Sequence, residues 1–135
     1  MKRLALLSVV SLMLASAVFA PVAMAQEPGE IDVQSVTLGP AGSVTVTGTI
    51  ECIEGHTYQA AVFVRQRTGT GYNFVQVDGF GTCATTGPQA FTGTGFSDRP
   101  FHRGPAAIEP VGSLFDPDTG NQINSFGTVE AIRIR

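Results

Sequence analysis

The chain has 135 residues, 43% hydrophobic and 14% charged, with a formal charge of -3. That balance excludes long disorder and coiled coil, and mild acidity removes the electrostatic footprint expected of a nucleic-acid or anionic-membrane binder. Sixteen Gly and eight Pro, with no Trp, suit a turn-rich chain of short strands better than a helical one.

Met1-Lys2-Arg3 precedes an apolar run from Leu4 to Ala20 and a Pro21-Val22-Ala23-Met24-Ala25 ending. A positive head, an apolar middle and a small-x-small close are the parts of a secretory signal peptide. Residues 1–25 are therefore expected to be cleaved, leaving one exported domain, 26–135, with no membrane span. Losing Lys2 and Arg3 takes the formal charge from -3 to -5 and removes the only Lys, so six Arg are the remaining strong cations.

Ile31 to Leu38 reads as a first strand, stopped by Gly39-Pro40. From Ser43 to Cys52, hydroxylated residues (Thr45, Thr47, Thr49) alternate with Val44, Val46, Gly48, Ile50 and Cys52. Period two over ten residues predicts a strand with one buried face, and Cys52 falls on it. Thr57 to Gln66 carries Tyr58, Ala60, Val62 and Val64 on one face and Ala61 and Phe63 on the other, the pattern of a central strand. Thr68-Gly69-Thr70-Gly71 turns it into a partner from Tyr72 to Asp78. Gln89 to Phe96, with Gly93 and Gly95 inside, predicts a weaker strand at an edge or bulge. Ala106 to Phe115 and Gly127 to Arg135 close the series around the turn cluster Asp116–Asn121. About seven short strands predict an all-β, two-sheet sandwich, with a small β-barrel as the alternative.

An exported chain with two cysteines is expected to bridge them, Cys52 to Cys83. Closing a loop of roughly 30 residues contributes about 3–4 kcal/mol in the chain-entropy treatment. A signal peptide, then Gly42-Ser43-Val44-Thr45-Val46-Thr47-Gly48-Thr49-Ile50-Glu51-Cys52, then a second Cys, resembles small secreted bacterial proteins with an immunoglobulin-like β-sandwich, uncharacterised actinobacterial families among them. The resemblance covers mainly residues 36–83 and implies an immunoglobulin-like sandwich without supplying a catalytic residue. A true immunoglobulin domain has a core Trp and a wider Cys separation, and this chain has neither. The enediyne-binding apoproteins are a weaker likeness, similar in size, export and β content but with two local Cys pairs.

Signals for chemistry are sparse. No Ser sits in a Gly-x-Ser-x-Gly elbow, and His56 and His102 both fall in expected loops. Ser97, Asp98 and His102 are near in sequence, which seldom supplies triad geometry, so no catalytic residue is assigned. Asp116 and Asp118 alternate as calcium ligands do, yet Gly120 and Asn121 are out of order for an EF-hand, and a plain turn explains them. No metal or cofactor is assigned. Ser97 to Pro105 gathers Arg99, Phe101, His102 and Arg103 between prolines, a candidate binding loop for an acidic or carboxylate-bearing partner, with a plain crossover loop whose Phe101 tucks onto the core as the alternative. Sugar sites stack aromatic faces on rings, but Tyr58 and Tyr72 are the only Tyr, and the eight Phe beyond the signal occupy strand-like positions that suit a core. The reading is a secreted or periplasmic, monomeric or weakly associating, non-catalytic binding or surface-interaction domain for an unidentified extracellular protein or small ligand. The alternative is a small hydrolase or hydrolase inhibitor acting through a loop end.

Overall fold

Eight strands, not seven, make up the computed structural model, which describes residues 25–135; all of the expected signal peptide but Ala25 lies outside the described residues. The strands are β1 (Ile31–Leu38), β2 (Val44–Cys52), β3 (Thr57–Thr68), β4 (Gly71–Thr82), β5 (Gly87–Gly95), β6 (Gly104–Phe115), β7 (Gln122–Phe126) and β8 (Glu130–Ile134). The alternation at 43–52 is obeyed throughout β2, whose residues switch between buried and half-buried at every step.

Hydrogen bonds link the strands in the order β4-β3-β6-β8-β1-β2-β5, with β7 added to β6. One edge of β6 pairs with β3 from Ala107 to Phe115. Its other edge is shared: Gly104 to Ile108 pairs with β8, and Val111 to Phe115 with β7. Pro110 falls at the changeover, where its carbonyl accepts from the N–H of Gly127 on that shared edge. A residue's N–H and C=O point to the same edge of a strand, so the missing donor of proline costs the β3 ladder nothing. The extra strand and this division replace the single expected strand 127–135.

The two ends of the path, β4 and β5, meet without a ladder of their own, which gives a nearly closed sheet, a form shared by a sandwich and a flattened small barrel. The glycines make the approach possible. A Cβ on Gly93 would stand 2.5 Å from the carbonyl oxygen of Asp78, and one on Gly95 2.8 Å from Val75 and Val77. Beside this seam, Cys52 ends β2 and Cys83 follows β4, and their disulfide joins the two with Cα atoms 5.6 Å apart. The crosslink therefore staples the side of the sheet that hydrogen bonds leave open.

Val44, Val46 and Ile50 of β2, Val62 and Val64 of β3, Val77 of β4, Ile108 and Leu114 of β6 and Ile134 of β8 fill the interior. Phe101, 1% exposed, closes the end opposite the disulfide. No helix among the described residues is long and apolar enough to cross a membrane.

Candidate binding face

Alternation along the strands gives the molecule two outer faces, and they differ in chemistry. On β1, β2 and β5 the outward side chains are largely hydroxylated or small, with Asp32, Gln34 and Glu51 among them. Ser35 bonds Thr47 across strands, and the Thr45 and Thr94 hydroxyls lie 2.9 Å apart. On β4, β3, β6 and β7 they are aromatic and amide-bearing.

The expectation that the phenylalanines fill the core is corrected here. Of the eight, only Phe91 and Phe101 are buried, and Phe63 is half-buried. Phe74, Phe80, Phe96, Phe115 and Phe126 are exposed, Phe80 at 69% and Phe126 at 77%. Register places four of these five on the β4-β3-β6-β7 face. Phe80 lies opposite Gln59 and Phe74 opposite Arg65, while Phe115 pairs with Thr57 and Phe126 with Val111. Phe63 and Phe74 stack with ring centroids 5.8 Å apart. Tyr72 and Val129 add 64% and 65% exposed surface beside them. Since the threonine-bearing face shows that this fold can present hydroxyls outward, the aromatic rows are not demanded by the architecture. Contiguous exposed apolar side chains of this kind mark interaction surfaces.

Polar side chains between the rings are tied to one another. The amides of Gln59 and Gln76 both donate to the Asp78 carboxylate, at 3.1 and 2.9 Å. The Ser113 hydroxyl and the Gln122 amide both donate to the Asn124 side-chain oxygen, at 2.9 and 2.8 Å. Between the two sets runs a cleft of about 400 Å³ bounded by Phe80 and Phe115, with Thr57, Gln59, Ser113 and Gln122 along it. A second, smaller depression lies toward the other end, where Phe63, Phe74 and Val129 meet Arg65 and Glu109.

The loop singled out in the sequence is built differently from a mobile contact loop. Phe101 belongs to the core, as in the crossover reading, and is withdrawn as a contact residue. Two buried amides of the hairpin hold the loop: Asn73 donates to the Pro100 carbonyl at 2.7 Å, and Gln66 donates to the His102 carbonyl at 2.7 Å while accepting from the His102 N–H at 2.9 Å. Arg99, His102 and Arg103 stay exposed around this anchor. Register then gathers the cations. Arg65 and Arg67 end β3, Arg133 and Arg135 end the chain at β8, and β6 begins between them with Gly104 opposite Ile134. All six Arg of the described residues lie at this end, with Asp98 in the same loop and Glu109 beside Arg65 as carboxylate neighbours. Glu27, Glu30, Asp32, Glu51, Glu54, Asp116 and Asp118 lie at the disulfide end.

Asp116 is occupied by its own turn. The Asp118 N–H and the Thr119 hydroxyl donate to its two oxygens at 2.9 and 2.8 Å. These bonds, the Asp118 N–H foremost, hold its carboxyl below the usual aspartate range, with a minor contribution from the charge of His56. Among the described residues no group of three or more His, Cys, Asp or Glu is arranged to hold a metal ion. No hydrogen bond among them links Ser97, Asp98 and His102, and neither His56 nor His102 lines the two clefts of the aromatic face. Sequence patterns missed the face because its signal is an outward phase. Phe74, Phe80 and Phe115 alternate with buried Val75, Val77 and Leu114, and only knowing which phase is inward separates surface from core. The chain matches no protein family, no curated protein and no solved structure.

Proposed function

We propose that the protein is an exported, non-catalytic binding domain whose contact surface is the outer face of β4, β3, β6 and β7. The observation that carries the reading is the exposure of Phe74, Phe80, Phe115 and Phe126 on one face, set among amides already fixed by hydrogen bonds. Aromatic side chains give large contact area with few rotors to freeze, which is why they dominate binding hot spots. The signal sequence and the disulfide support export. Labelled protein is expected to be retained on cell-envelope or secreted material of the producing organism, and the variant F74S/F80S/F126S to lose at least tenfold of that retention at an unchanged melting temperature. Equal retention of the two proteins contradicts the reading.

The arginine end favours a second contact, to an anionic group on the same partner. Six Arg against two neighbouring carboxylates, Asp98 and Glu109, attract anions over roughly a Debye length, about 8 Å at physiological salt. R99A/R103A is expected to weaken retention at low salt and to make little difference at 0.5 M NaCl; identical salt curves for variant and wild type remove this contact.

A further inference from the structure

Resting on the reading of this face as a binding surface, we propose that its cleft between Phe80 and Phe115 binds a neutral oligosaccharide. The cleft is floored by β3, with Thr57 and Gln59 facing up between the two flanking strands. Adjacent strands lie about 4.8 Å apart, and Phe80, opposite Gln59, is offset by two residues along β3 from Phe115, opposite Thr57, so the backbones that carry them stand about 12 Å apart on a diagonal across β3. A saturated ring held between two aromatic faces, at carbon contacts of about 3.5–4.0 Å on each side, needs about 7–8 Å. The diagonal spacing leaves room between the two side chains for a single sugar ring. The volume of about 400 Å³ falls inside the range of about 300–1,000 Å³ usual for small-molecule sites.

The polar groups choose among ligands. After their internal bonds, Gln59 and Gln122 each retain a carbonyl oxygen and one amide N–H, the Ser113 oxygen can still accept, and the Thr57 hydroxyl can donate and accept. A sugar hydroxyl both donates and accepts, so it needs a mixed set of this kind. The groups are also oriented before any ligand arrives, which lowers the entropy lost on binding. None of the six Arg borders this cleft, and the nearby charge is the Asp78 carboxylate, so an anionic ligand gains nothing here. A purely apolar ligand would cover the amides without partners, at the cost of burying unpaired polar groups. What remains is a ligand with apolar ring faces and neutral hydroxyl edges.

The test uses protein expressed from the full chain, followed by amide NMR during titration with cellohexaose, xylohexaose, mannohexaose, maltohexaose and chitohexaose, with oligogalacturonate as the anionic contrast. The expected result is that at least one neutral hexasaccharide shifts the amides of Gln59, Phe80, Ser113 and Phe115. F80A and F115A, both at exposed positions, are each expected to weaken it by roughly five- to tenfold, and Q34A, exposed on β1 away from the cleft, to leave it unchanged. If no neutral hexasaccharide moves these amides, or binding survives F80A/F115A, or oligogalacturonate binds more tightly, the glycan assignment is overturned. Retention on native material separates the two failures. If that retention still depends on Phe74, Phe80 and Phe126 while every hexasaccharide fails, the face stands and the glycan falls; if retention is also insensitive, both fall.

Discussion

Phe101 fixes a loop through burial, not through its own surface contacts. With Asn73 on Pro100 and Gln66 on His102, it makes the 97–105 segment part of the core's lid. Truncating a fully buried Phe costs about 3–5 kcal/mol, so F101A is expected to lower the melting temperature on the order of 10–20 °C. F96A, at a 72% exposed position, is expected to change it by no more than a degree or two; equal effects in calorimetry contradict the assignment. The Pro-Phe-His segment announced an aromatic anchor in the sequence, but not its direction, because the amides that bind it lie about thirty residues away on another hairpin. Asp116 makes a pH-dependent prediction. Its folded carboxyl ionises more readily than the unfolded value of 3.8, so its contribution is present above that value and lost as pH falls through the lower folded one. D116A is therefore expected to melt below wild type at pH 7, with the gap closing as pH falls below 3.8. A gap that widens on acidification contradicts the turn assignment.

The strands of the β2-β3-β4 segment were legible because period-two alternation in β2 and the Gly-rich tip between β3 and β4 are local signals. The weaker strand with Gly93 and Gly95 was also legible as an edge, and β5 does end the hydrogen-bonded path. What was not legible is that those glycines lie against β4: close approach between strands distant in sequence leaves no periodic trace. Strand β7 was missed for a related reason. Gln122 to Phe126 is a short, largely exposed segment, and it is held as a strand by pairing with β6, which no local pattern records. At the seam, a methyl group on Gly93 would press on the Asp78 carbonyl at 2.5 Å and on Val77 at 2.9 Å. G93A is expected to cost about 1–3 kcal/mol, the usual range for overpacking. A Gly-to-Ala change at Gly71, where a Cβ meets nothing within 4 Å, serves as the control, and equal urea midpoints for the two variants contradict a tight seam.

Taken whole, the molecule is a nearly closed sheet sealed at one end by a disulfide and at the other by Phe101, with its arginines gathered at one end and seven of its eleven carboxylates at the other. The disulfide spans 31 positions of sequence, so C52S/C83S is expected to lose about 3–4 kcal/mol. That is a large share of the roughly 5–15 kcal/mol typical of a domain. Urea melts under reducing and non-reducing conditions check it, and coincident curves contradict it. The polarity and the two unlike outer faces give the protein a direction: hydroxylated on one side, aromatic on the other, cationic at one end. Hydroxyl-radical footprinting in the presence and absence of native envelope or secreted material tests the central claim most directly. Loss of labelling at Phe74, Phe80, Phe115 and Phe126 on binding, with the β1-β2-β5 face unchanged, is the predicted result. Unchanged labelling of those four rings while the protein is bound, or protection confined to the threonine rows, contradicts the account.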